Sequence, residues 1–444
     1  MKQTALVIGA GIGGIATAAR LAKNGYDVTV IEKESTPGGR CNQILRDGHR
    51  FDIGPTLFLM PEIWEETFAA LGEKMSDHLE LKRIDPTYKI YFDDGLQLAL
   101  TSNIGDMQTQ LERVEKTAFT GFLNYLAEGS KHYKMSVEKF VGRNFYNIFE
   151  YFSLGNLPLL FQLKALKKHY ANASRFFKDD RLKAAFTFQN MYLGLSPYEA
   201  PATYSLLQYT ELAEGVWYPI GGMYAGIQAL TSIAEKLGVK FFYNAPVKQL
   251  QVEGSKVKSV LLVDGREFKA DIFVGNADLP YIYKELLPKS NEAEKLDAKL
   301  YTCSTIMFYW GVDKEYTQIA HHNVFLGGDY KASFDQIFND HTLPEIPSFY
   351  VHAPGRTDSG AAPEGQETLY VLVPVGHLDP RSEQDWEALI NRARLTVLSR
   401  LAQEMGVDDL REHIKFEIVY QPSVWKERFN LEKGAAFGLS HNFW

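Results

Sequence analysis

The apolar residues of the first thirty positions change their spacing twice. Residues 6–8 form a short continuous apolar run, which is typical of a strand buried in a parallel sheet. From Ile15 to Ala22 the apolar residues recur at helical spacing, and residues 28–31 return to a strand pattern. Gly25 is placed to end the helix. The chain is therefore predicted to begin with a strand, a helix and a second strand, which form a βαβ unit.

The same spacing rules divide the rest of the chain. They predict a helix over residues 62–71, a hairpin over 88–100, a mostly helical and aromatic stretch over 106–218, a helix followed by a strand over 221–244, and alternating strands over 249–277. The features of a nucleotide-binding fold thus occur at the start of the chain and again near 220–278. This separation predicts one α/β domain built from separated pieces, with a second domain inserted between them.

Composition and charge narrow the class of protein. Hydrophobic residues make up 45% and charged residues 23%, as in ordinary soluble proteins, and the net charge of −8 offers no footprint for nucleic acid. No uninterrupted apolar stretch approaches the roughly 20 residues that span a bilayer. Aromatic residues make up 13%, which suits an apolar substrate tunnel but also a large aromatic core. We therefore expect a cytoplasmic protein that either is free in solution or lies on a membrane surface.

Cysteines and histidines do not indicate a metal site. Cys41 and Cys303 cannot form a disulfide framework, and a reducing compartment fits them best. Neither cysteine has a metal-ligand spacing, and the adjacent His321 and His322 would point to opposite faces of a strand. No metal is predicted.

The loop after the first strand carries the pattern of a dinucleotide site. Residues 9–14 satisfy G-x-G-x-x-G, in which Gly9 permits a tight turn, Gly11 lets a pyrophosphate approach, and Gly14 lets helix and strand pack closely. The phosphates would lie at the helix N-terminus, where free N–H groups favour anions. Glu32 ends the second strand, where the acid that binds a ribose is expected. An acid there disfavours a 2′-phosphate, which leaves NAD and FAD open.

A second glycine motif bears on that choice. Gly38-Gly39-Arg40 follows the second strand, and two glycines let a loop pass close over a ligand. An arginine at this point would add a fixed positive charge with a geometry suited to phosphate oxygens. Taken alone, these residues are better explained by a surface turn with a solvated arginine.

The region from Glu32 to Arg40, with "FDIGPT" at 51–56, resembles the start of the flavin amine oxidase and phytoene desaturase superfamily. Within that superfamily the sequence is similar to the bacterial carotenoid desaturases. Further matches are "GVWYPIGGMYAGIQAL" (215–230), "NAPV" (244–247), "VGNAD" (274–278), "VHAPGRTDSGAAPEG" (351–365), "LYVLVPVGHL" (369–378) and "KGAAFGLSH" (433–441). They occur in order over nearly the whole chain.

The resemblance implies a non-covalent FAD and assigns residues to it. These are Gly9, Gly11, Gly13 and Gly14 at the pyrophosphate, Glu32 at the adenosine ribose, Arg40 at the pyrophosphate, Thr56 and Leu57 beside the flavin, Val247 through its backbone at the adenine, and Asn276 and Asp278 near the dinucleotide. His352, Arg356 and Asp358 are expected either near the substrate or in a structural turn network. No catalytic base is assigned.

The implied fold is α/β, with a discontinuous Rossmann-type FAD-binding domain, an inserted mixed α+β substrate domain and a helical membrane-facing segment. We place the FAD-binding domain at 1–75 and 215–290, and the substrate domain at 76–214 and 291–444, including a helical region at about 106–200. Relatives continue beyond the "GxAFG" stretch with a tail that completes the flavin site. We therefore expect a further C-terminal part beyond Trp444.

The resemblance also implies a reaction: FAD-dependent desaturation of a long carotenoid polyene. Overall similarity favours C-3,4 desaturation of a 1-hydroxycarotenoid, and the alternatives are phytoene desaturation or carotenoid isomerisation without net oxidation. The electron acceptor, oxygen or a quinone, is left open. Residues 145–170 are apolar and aromatic with a basic end, which predicts peripheral contact with a membrane surface; an ordinary buried helical hairpin is the alternative.

Overall fold

The computed structural model of the protein describes residues 2–382 and 384–441, with only the backbone described at residue 148. Its strands are β1 (Thr4–Ile8), β2 (Asp27–Ile31), β3 (Gln43–Arg46), β4 (His49–Asp52), β5 (Leu81–Ile84), β6 (Tyr88–Phe92), β7 (Gln97–Leu100), β8 (Val216–Pro219), β9 (Lys240–Phe242), β10 (Val247–Glu253), β11 (Lys256–Leu262), β12 (Glu267–Lys269), β13 (Ile272–Gly275), β14 (Ser304–Val312), β15 (His322–Leu326), β16 (Phe349–His352), β17 (Glu367–Val375) and β18 (Ile414–Tyr420).

The α-helices are α1 (Ile12–Lys23), α2 (Pro61–Leu71), α3 (Ile104–Val114), α4 (Ala118–Ser136), α5 (Ile148–Tyr151), α6 (Leu157–Gln162), α7 (His169–Ala173), α8 (Asp180–Ala185), α9 (Leu206–Tyr209), α10 (Tyr224–Lys236), α11 (Leu279–Tyr281), α12 (Asn291–Asp297), α13 (Tyr330–Phe338), α14 (Trp386–Met405) and α15 (Pro422–Phe429). Short π-helical segments occur at Val137–Val141, Thr210–Glu214 and Ile282–Leu286, and single 3-10 turns join several other elements.

A parallel four-stranded sheet forms the first layer, in the order β13-β1-β2-β9. Val7 at the centre of β1 pairs with Val30 of β2 on one side and with Val274 of β13 on the other. β1 is buried on both faces, as its continuous apolar run predicts. Ile15 of α1 and Ile227 of α10 pack against these strands in one core. The sheet thus brings together pieces of chain that are more than two hundred residues apart.

A mixed seven-stranded sheet forms the second large layer, in the order β18-β14-β17-β16-β15-β6-β7. All neighbours are antiparallel except β15 and β6. Along β14 the side chains alternate, so that Phe308 packs in the core with Val397 of α14. Met307 and Tyr309 point to the other face, where Tyr309 packs against Phe51 of β4. This second face is directed towards the first layer.

The division into two domains stays a prediction, although the sheets follow it closely. Every strand of the four-stranded sheet lies within 1–75 or 215–290, and every strand of the seven-stranded sheet lies within 76–214 or 291–444. A two-stranded ribbon crosses the proposed boundary, because β5 pairs with β8 through Lys82 and Tyr218. The chain passes between the two layers at this ribbon.

The helical stretch differs from its prediction after Ser136. α3 and α4 are long and regular, but residues 137–214 form short helices, π-helical segments and turns. Gly142, Gly155 and Pro158 interrupt the apolar pattern there, because glycine and proline disfavour a continuous helix. Among the described residues, none of the helices combines the length and the apolar character required to cross a membrane.

Candidate functional site

Two adjoining cavities lie between the layers: the first at the ends of the parallel strands, the second against the seven-stranded sheet. The first, of about 380 Å³, is lined by the glycine loop after β1, by Glu32 at the end of β2 and by residues 276–278 after β13. These segments all follow the carboxyl ends of parallel strands, which is where open α/β sheets bind their ligands. The second cavity, of about 430 Å³, is apolar and opens beside Arg40 and Pro55, which line both.

The glycine loop is packed too closely to accept side chains. Gly9 has a φ of +98°, and a Cβ on Gly14 would lie 2.1 Å from the carbonyl oxygen of Gly9. The same Cβ would lie 2.9 Å from the Asn276 side chain. Gly11 precedes α1 and supplies no side-chain acceptor, so the first N–H groups of the helix are left for a ligand. This arrangement is the usual cradle for a pyrophosphate.

Glu32 is buried and holds the loop in place. Its Oε2 accepts a hydrogen bond from the backbone N–H of Ala10 at 2.7 Å, and its Oε1 accepts one from the N–H of Glu34 at 2.9 Å. A carboxylate has about four acceptor positions, so each oxygen keeps capacity for a further donor on the cavity side. The residue can therefore orient the loop and accept ribose hydroxyls together.

The Gly38-Gly39-Arg40 turn packs directly on the glycine loop. The N–H of Gly38 donates to the carbonyl of Ala10 at 2.8 Å, and Gly38 and Gly39 have φ values of +118° and +55°. Arg40 donates to the carbonyl of Ala436 at 3.0 Å and lies where the two cavities meet. One backbone hydrogen bond ties the turn to the loop, and the hydrogen bond to Ala436 directs the exposed guanidinium to the junction of the two cavities.

Asp278 supplies an acceptor without a partner. Burial raises the pKa of its carboxyl, and the charge of Arg40 partly offsets this effect. Its buried Oδ2 has no hydrogen-bond partner among the described residues, although it belongs to a residue that lines the first cavity. A buried carboxylate oxygen without a partner is costly unless a ligand donates to it. The cradle, the ribose acid and this orphaned oxygen together fit a dinucleotide.

The second cavity is apolar and aromatic. Among its described lining residues Arg40 is the only one that is ionised at neutral pH, and most of the others are aliphatic or aromatic. The Thr56 hydroxyl lies 2.8 Å from the Tyr350 hydroxyl, and the Tyr370 hydroxyl donates to the carbonyl of Gly54 at 2.9 Å. The cavity can therefore hold a long apolar chain and offers it few free polar groups.

The structure brings nearly all the sequence-predicted residues to these cavities. Gly9, Gly11, Gly13, Glu32, Arg40, Val247, Asn276 and Asp278 line the first, and Thr56 and Leu57 line the second. Gly14 lies behind the loop, where it permits the close packing of helix and strand. Their roles towards a cofactor stay predictions.

Sequence reasoning missed one side of the first cavity. Arg428 and Asn430, at the end of α15, line it about four hundred residues after the glycine loop. The Arg428 guanidinium lies 3.6 Å from the carboxylate of Glu34, two residues after Glu32, which places this segment on the Glu32 side of the cavity. No local motif marks these residues, because the topology alone brings α15 to this position.

The motif at 351–365 forms a buried turn network away from the cavities. The Arg356 guanidinium pairs with Glu367, and Asp358 accepts a hydrogen bond from Arg50 at 2.5 Å. Neither Arg356 nor Asp358 nor His352 is among the described residues that line either cavity. Of the two expected roles, the structure favours the turn network.

The expectation that His321 and His322 point to opposite faces is wrong. β15 begins at His322, so His321 precedes the strand and the alternation of side chains does not apply to it. The rings of the two residues lie with centroids 4.4 Å apart. His352 of β16 joins them, and one nitrogen from each ring lies within 4.8 Å of the others. The absence of a metal stays a prediction.

Comparison with known proteins agrees with this geometry. Residues 12–308 match the family described as flavin containing amine oxidoreductase. The chain is 46% identical over 440 residues to a zeta-carotene-forming phytoene desaturase of Myxococcus xanthus, covering 99% of this chain and 84% of that protein. It is 44% identical to a phytoene desaturase of Phycomyces blakesleeanus, covering 98% and 76%. It is 31% identical to a 4,4'-diapophytoene desaturase of Staphylococcus aureus, covering 98% and 88%.

Solved structures show the same fold at low identity. A putrescine oxidase bound to putrescine aligns with a TM-score of 0.61 at 17% identity, covering 99% of this chain and 87% of that chain. A fatty acid isomerase of P. acnes aligns with a TM-score of 0.59 at 16% identity, covering 94% and 86%. The chain is a member of the carotenoid desaturase family within the flavin amine oxidase superfamily, an FAD-dependent oxidoreductase.

Proposed function

We propose that this enzyme desaturates phytoene, with FAD held in the first cavity and the polyene in the second. The observation that carries the proposal is that an apolar, aromatic cavity shares Arg40 and Pro55 with a dinucleotide cradle. A substrate carbon in the second cavity is thereby brought next to the end of the cradle. The cofactor supplies the oxidising step by accepting a hydride.

The residues of this chain would bind the cofactor, orient the substrate and keep water out of the second cavity. The glycine loop and Arg40 would hold the pyrophosphate, Glu32 and Val247 the adenosine end, and Thr56 with Leu57 the flavin end. Asn276 donates to the carbonyl of Gly9 at 3.3 Å and so keeps the loop in register with β13. The apolar walls of the second cavity exclude water, which favours a hydrocarbon substrate.

Phytoene replaces the 1-hydroxycarotenoid that the sequence alone favoured. Several relatives at 42–46% identity are named phytoene desaturases, which supports phytoene as the substrate. The hydroxyls of the cavity wall do not distinguish the two substrates, because the buried Thr305 hydroxyl lines the cavity and has no hydrogen-bond partner among the described residues, whereas the other hydroxyls are engaged. Thr56 and Tyr350 use their hydroxyls on each other, and Tyr370 uses its hydroxyl on a backbone carbonyl. A 3,4-desaturase would gain from a free polar group that meets the substrate hydroxyl.

A carotenoid panel tests this proposal. The FAD-loaded enzyme is mixed anaerobically with phytoene or with a 1-hydroxycarotenoid in detergent, and products are separated and weighed by mass spectrometry. We expect phytoene to bleach the flavin and to lose hydrogens in pairs. Faster turnover of the 1-hydroxycarotenoid than of phytoene would contradict the proposal and favour C-3,4 desaturation, as the sequence alone predicted. A change of double-bond geometry without bleaching would instead make the enzyme an isomerase and overturn the proposal.

Arg40→Ala should weaken FAD binding without unfolding the protein. The guanidinium lies beside the cradle, and a hydrogen bond to a charged group is worth about 1.5–3 kcal/mol. We expect the Kd of FAD to rise by roughly tenfold or more. Flavin fluorescence titration measures this, and the melting temperature of the apoprotein checks the fold. Arg20→Ala is the control, since Arg20 is an exposed arginine of α1 that does not line the cavity. Equal FAD affinities in Arg40→Ala and the wild type would show that Gly38-Gly39-Arg40 is a structural turn with no part in cofactor binding.

We also propose that residues 145–170 contact a membrane surface, so that the cytoplasmic enzyme binds its substrate from a bilayer. Seven large apolar side chains in this segment are exposed, and four of them by more than 80%: Tyr146 by 84%, Phe149 by 82%, Leu154 by 87% and Phe161 by 81%. A soluble surface rarely exposes such a group of side chains together. Lys167 and Lys168 add positive charge at its end, which suits anionic headgroups.

Replacing Phe149, Leu154 and Phe161 by serine should reduce binding to anionic vesicles. Each apolar side chain is worth about 1.5–3 kcal/mol when fully buried, so even partial insertion predicts a loss of roughly tenfold or more. Flotation with phosphatidylglycerol vesicles measures the bound fraction. The matched control replaces three exposed apolar residues elsewhere, Leu45, Val263 and Leu300, which are 67%, 62% and 61% exposed. Equal loss in both variants would contradict a specific docking surface.

A further inference from the structure

Three buried histidines lie behind the wall of the second cavity. His321 and His322 lie at the start of β15, and His352 ends the neighbouring strand β16. All three side chains are almost fully buried, and the Nε2 atoms of His321 and His352 are 3.0 Å apart. His322 stacks on His352 with ring centroids 5.3 Å apart. None of the residue roles proposed for the desaturation involves this cluster.

Hydrogen bonds join one end of the cluster to the cavity and the other end to Thr357, while His322 contacts the other two rings by packing and not by a hydrogen bond. Nδ1 of His322 lies 2.6 Å from the hydroxyl of Tyr350, which lines the cavity and lies 2.8 Å from the hydroxyl of Thr56. On the far side, Nδ1 of His321 lies 2.7 Å from the hydroxyl of Thr357, which is half-buried. The path therefore runs from the substrate wall, through three rings, towards the surface.

Burial sets the protonation states along this route, and it also raises the pKa of Tyr350 well above its usual value, so the phenol holds its proton at neutral pH. Burial lowers the pKa of His321 to about 3 and lowers those of His322 and His352 well below their usual value. Each ring is thus neutral and has one N–H and one lone pair. If Nδ1 of His322 accepts from Tyr350, the ring proton is on Nε2, a buried atom without a partner among the described residues. The Tyr350 oxygen then keeps a lone pair for a donor in the cavity.

The other tyrosines of the cavity wall do not lead to a base. The Tyr370 hydroxyl donates to a backbone carbonyl. Tyr192 donates to Tyr88, which donates to Glu211, and burial raises the pKa of Glu211 to about 8. Glu211 therefore holds its proton at neutral pH and cannot take another. Arg40, the one ionised residue of the described wall, is a cation and accepts no proton.

We propose that Tyr350 takes the proton that leaves the polyene and that His322 is the positioning residue behind it, which accepts the phenolic proton in turn. This inference rests on the proposed desaturation. One substrate carbon loses a hydride to oxidised flavin. The adjacent carbon loses a proton to the Tyr350 oxygen, as the phenolic proton moves to Nδ1 of His322. The electron pair of that second C–H bond becomes the new C=C bond.

The extra proton then leaves through the cluster. The proton crosses from His322 to the hydrogen-bonded pair of His352 and His321, whose ring nitrogens include one each within 4.8 Å of a His322 nitrogen, and the chain of rings ends at Thr357. The neighbouring Asp358 carboxylate favours a positive charge on His321, and the cation Arg356 opposes it. Because burial disfavours a lasting imidazolium, the cluster passes the proton on and returns to neutral before the next turnover.

Anaerobic rapid mixing of the FAD-loaded enzyme with phytoene tests the route. We expect Tyr350→Phe to slow flavin reduction by about a hundredfold, the usual range for a lost general base, with unchanged FAD content. His322→Asn keeps a hydrogen-bonding partner for Tyr350 but no base, and should slow reduction by at least about tenfold. In deuterium oxide the wild type should slow measurably and both variants should not. Added imidazole should partly rescue His322→Asn.

Tyr309→Phe is the matched control, because its hydroxyl is also buried but donates to the carbonyl of Ile53 and does not line the cavity. Wild-type reduction rates in both Tyr350→Phe and His322→Asn would overturn the proton route. Failure of phytoene to reduce the wild-type flavin would instead refute the proposed function. A stoichiometric metal in the purified holoenzyme, lost in His322→Asn, would make the cluster a metal site and also overturn the route. If Tyr350→Phe does not fold, the rate of flavin reduction in His322→Asn alone tests the proton route.

Discussion

Gly14→Ala should weaken FAD binding by at least roughly a hundredfold. A Cβ at this position would lie 2.1 Å from the carbonyl oxygen of Gly9 and 2.9 Å from the Asn276 side chain. The Asn276 side chain can move, but the Gly9 carbonyl is part of the turn that forms the cradle. The helix α1 must therefore shift away from β1, which carries the first N–H groups away from the phosphates.

The expected losses of stability and of FAD affinity follow from the overlap between this Cβ and the Gly9 carbonyl oxygen. Overpacking a tight site costs about 1–3 kcal/mol of the free energy of unfolding, and here the clash is with backbone, which favours the upper end. We expect the Kd of FAD to rise by at least roughly a hundredfold, about 2.7 kcal/mol. Isothermal titration with FAD and denaturant unfolding of the apoprotein measure the two effects separately.

Gly105→Ala provides the matched control for this change. Gly105 also lies in the first turn of a helix, α3, but it is exposed and a Cβ there would meet only the Asn103 side chain at 3.5 Å. Alanine is favoured over glycine in a helix, so this variant should be neutral or slightly more stable. Normal FAD affinity in Gly14→Ala would show that α1 can move away from β1 without loss of binding, and would contradict the prediction.

The first cavity was predictable from sequence because its determinants are local. The turn at Gly9, the helix that begins at Ile12 and the acid at Glu32 all lie within one βαβ unit, and spacing alone fixes their relation. The turn at Gly38 joins them through a backbone hydrogen bond to Ala10, only a short distance further along the chain. These residues contact one another wherever the rest of the chain goes.

The remaining features depend on contacts between distant segments. Arg428 reaches the first cavity only because α15 packs there, and no spacing in the sequence reports that. The histidine cluster was misjudged because strand alternation was applied to His321, which precedes the strand. Tyr350 and Thr56 meet across almost three hundred residues. Functional groups that are brought together by such long-range contacts can be identified only from the three-dimensional structure.

Glu211 is the buried acid for which we expect the largest dependence of stability on pH. It lies in the π-helical segment Thr210–Glu214, fully enclosed, and accepts hydrogen bonds from Tyr88 at 3.1 Å and from Gln189 at 3.2 Å. Burial raises its pKa from 4.5 to about 8, and the hydrogen bonds from its neighbours only partly offset this effect. The folded protein therefore holds a proton that the unfolded chain releases above its own, ordinary pKa.

The sign of the effect follows from this difference in protons bound. Between about pH 5 and pH 8 the unfolded state binds fewer protons at this site than the folded state, so stability falls as the pH rises. The slope for one such group is about 1.4 kcal/mol per pH unit, and it vanishes above the folded pKa. Acidification below the unfolded pKa should add nothing further from Glu211.

Glu211→Gln should remove this slope, because glutamine keeps the shape but does not ionise. Its NH2 group cannot accept the hydrogen bond that one carboxyl oxygen accepts from Tyr88 or Gln189, a loss that is the same at every pH and cancels from the comparison. At about pH 8 the variant should be more stable than the wild type by roughly 3–5 kcal/mol relative to their difference at about pH 5. Urea unfolding of both proteins across this range gives the comparison. Glu66→Gln, at an exposed position of α2, should run parallel to the wild type because its carboxylate is solvated in both states. Parallel curves for Glu211→Gln and the wild type would mean that the buried acid ionises in the folded protein as readily as in the unfolded chain.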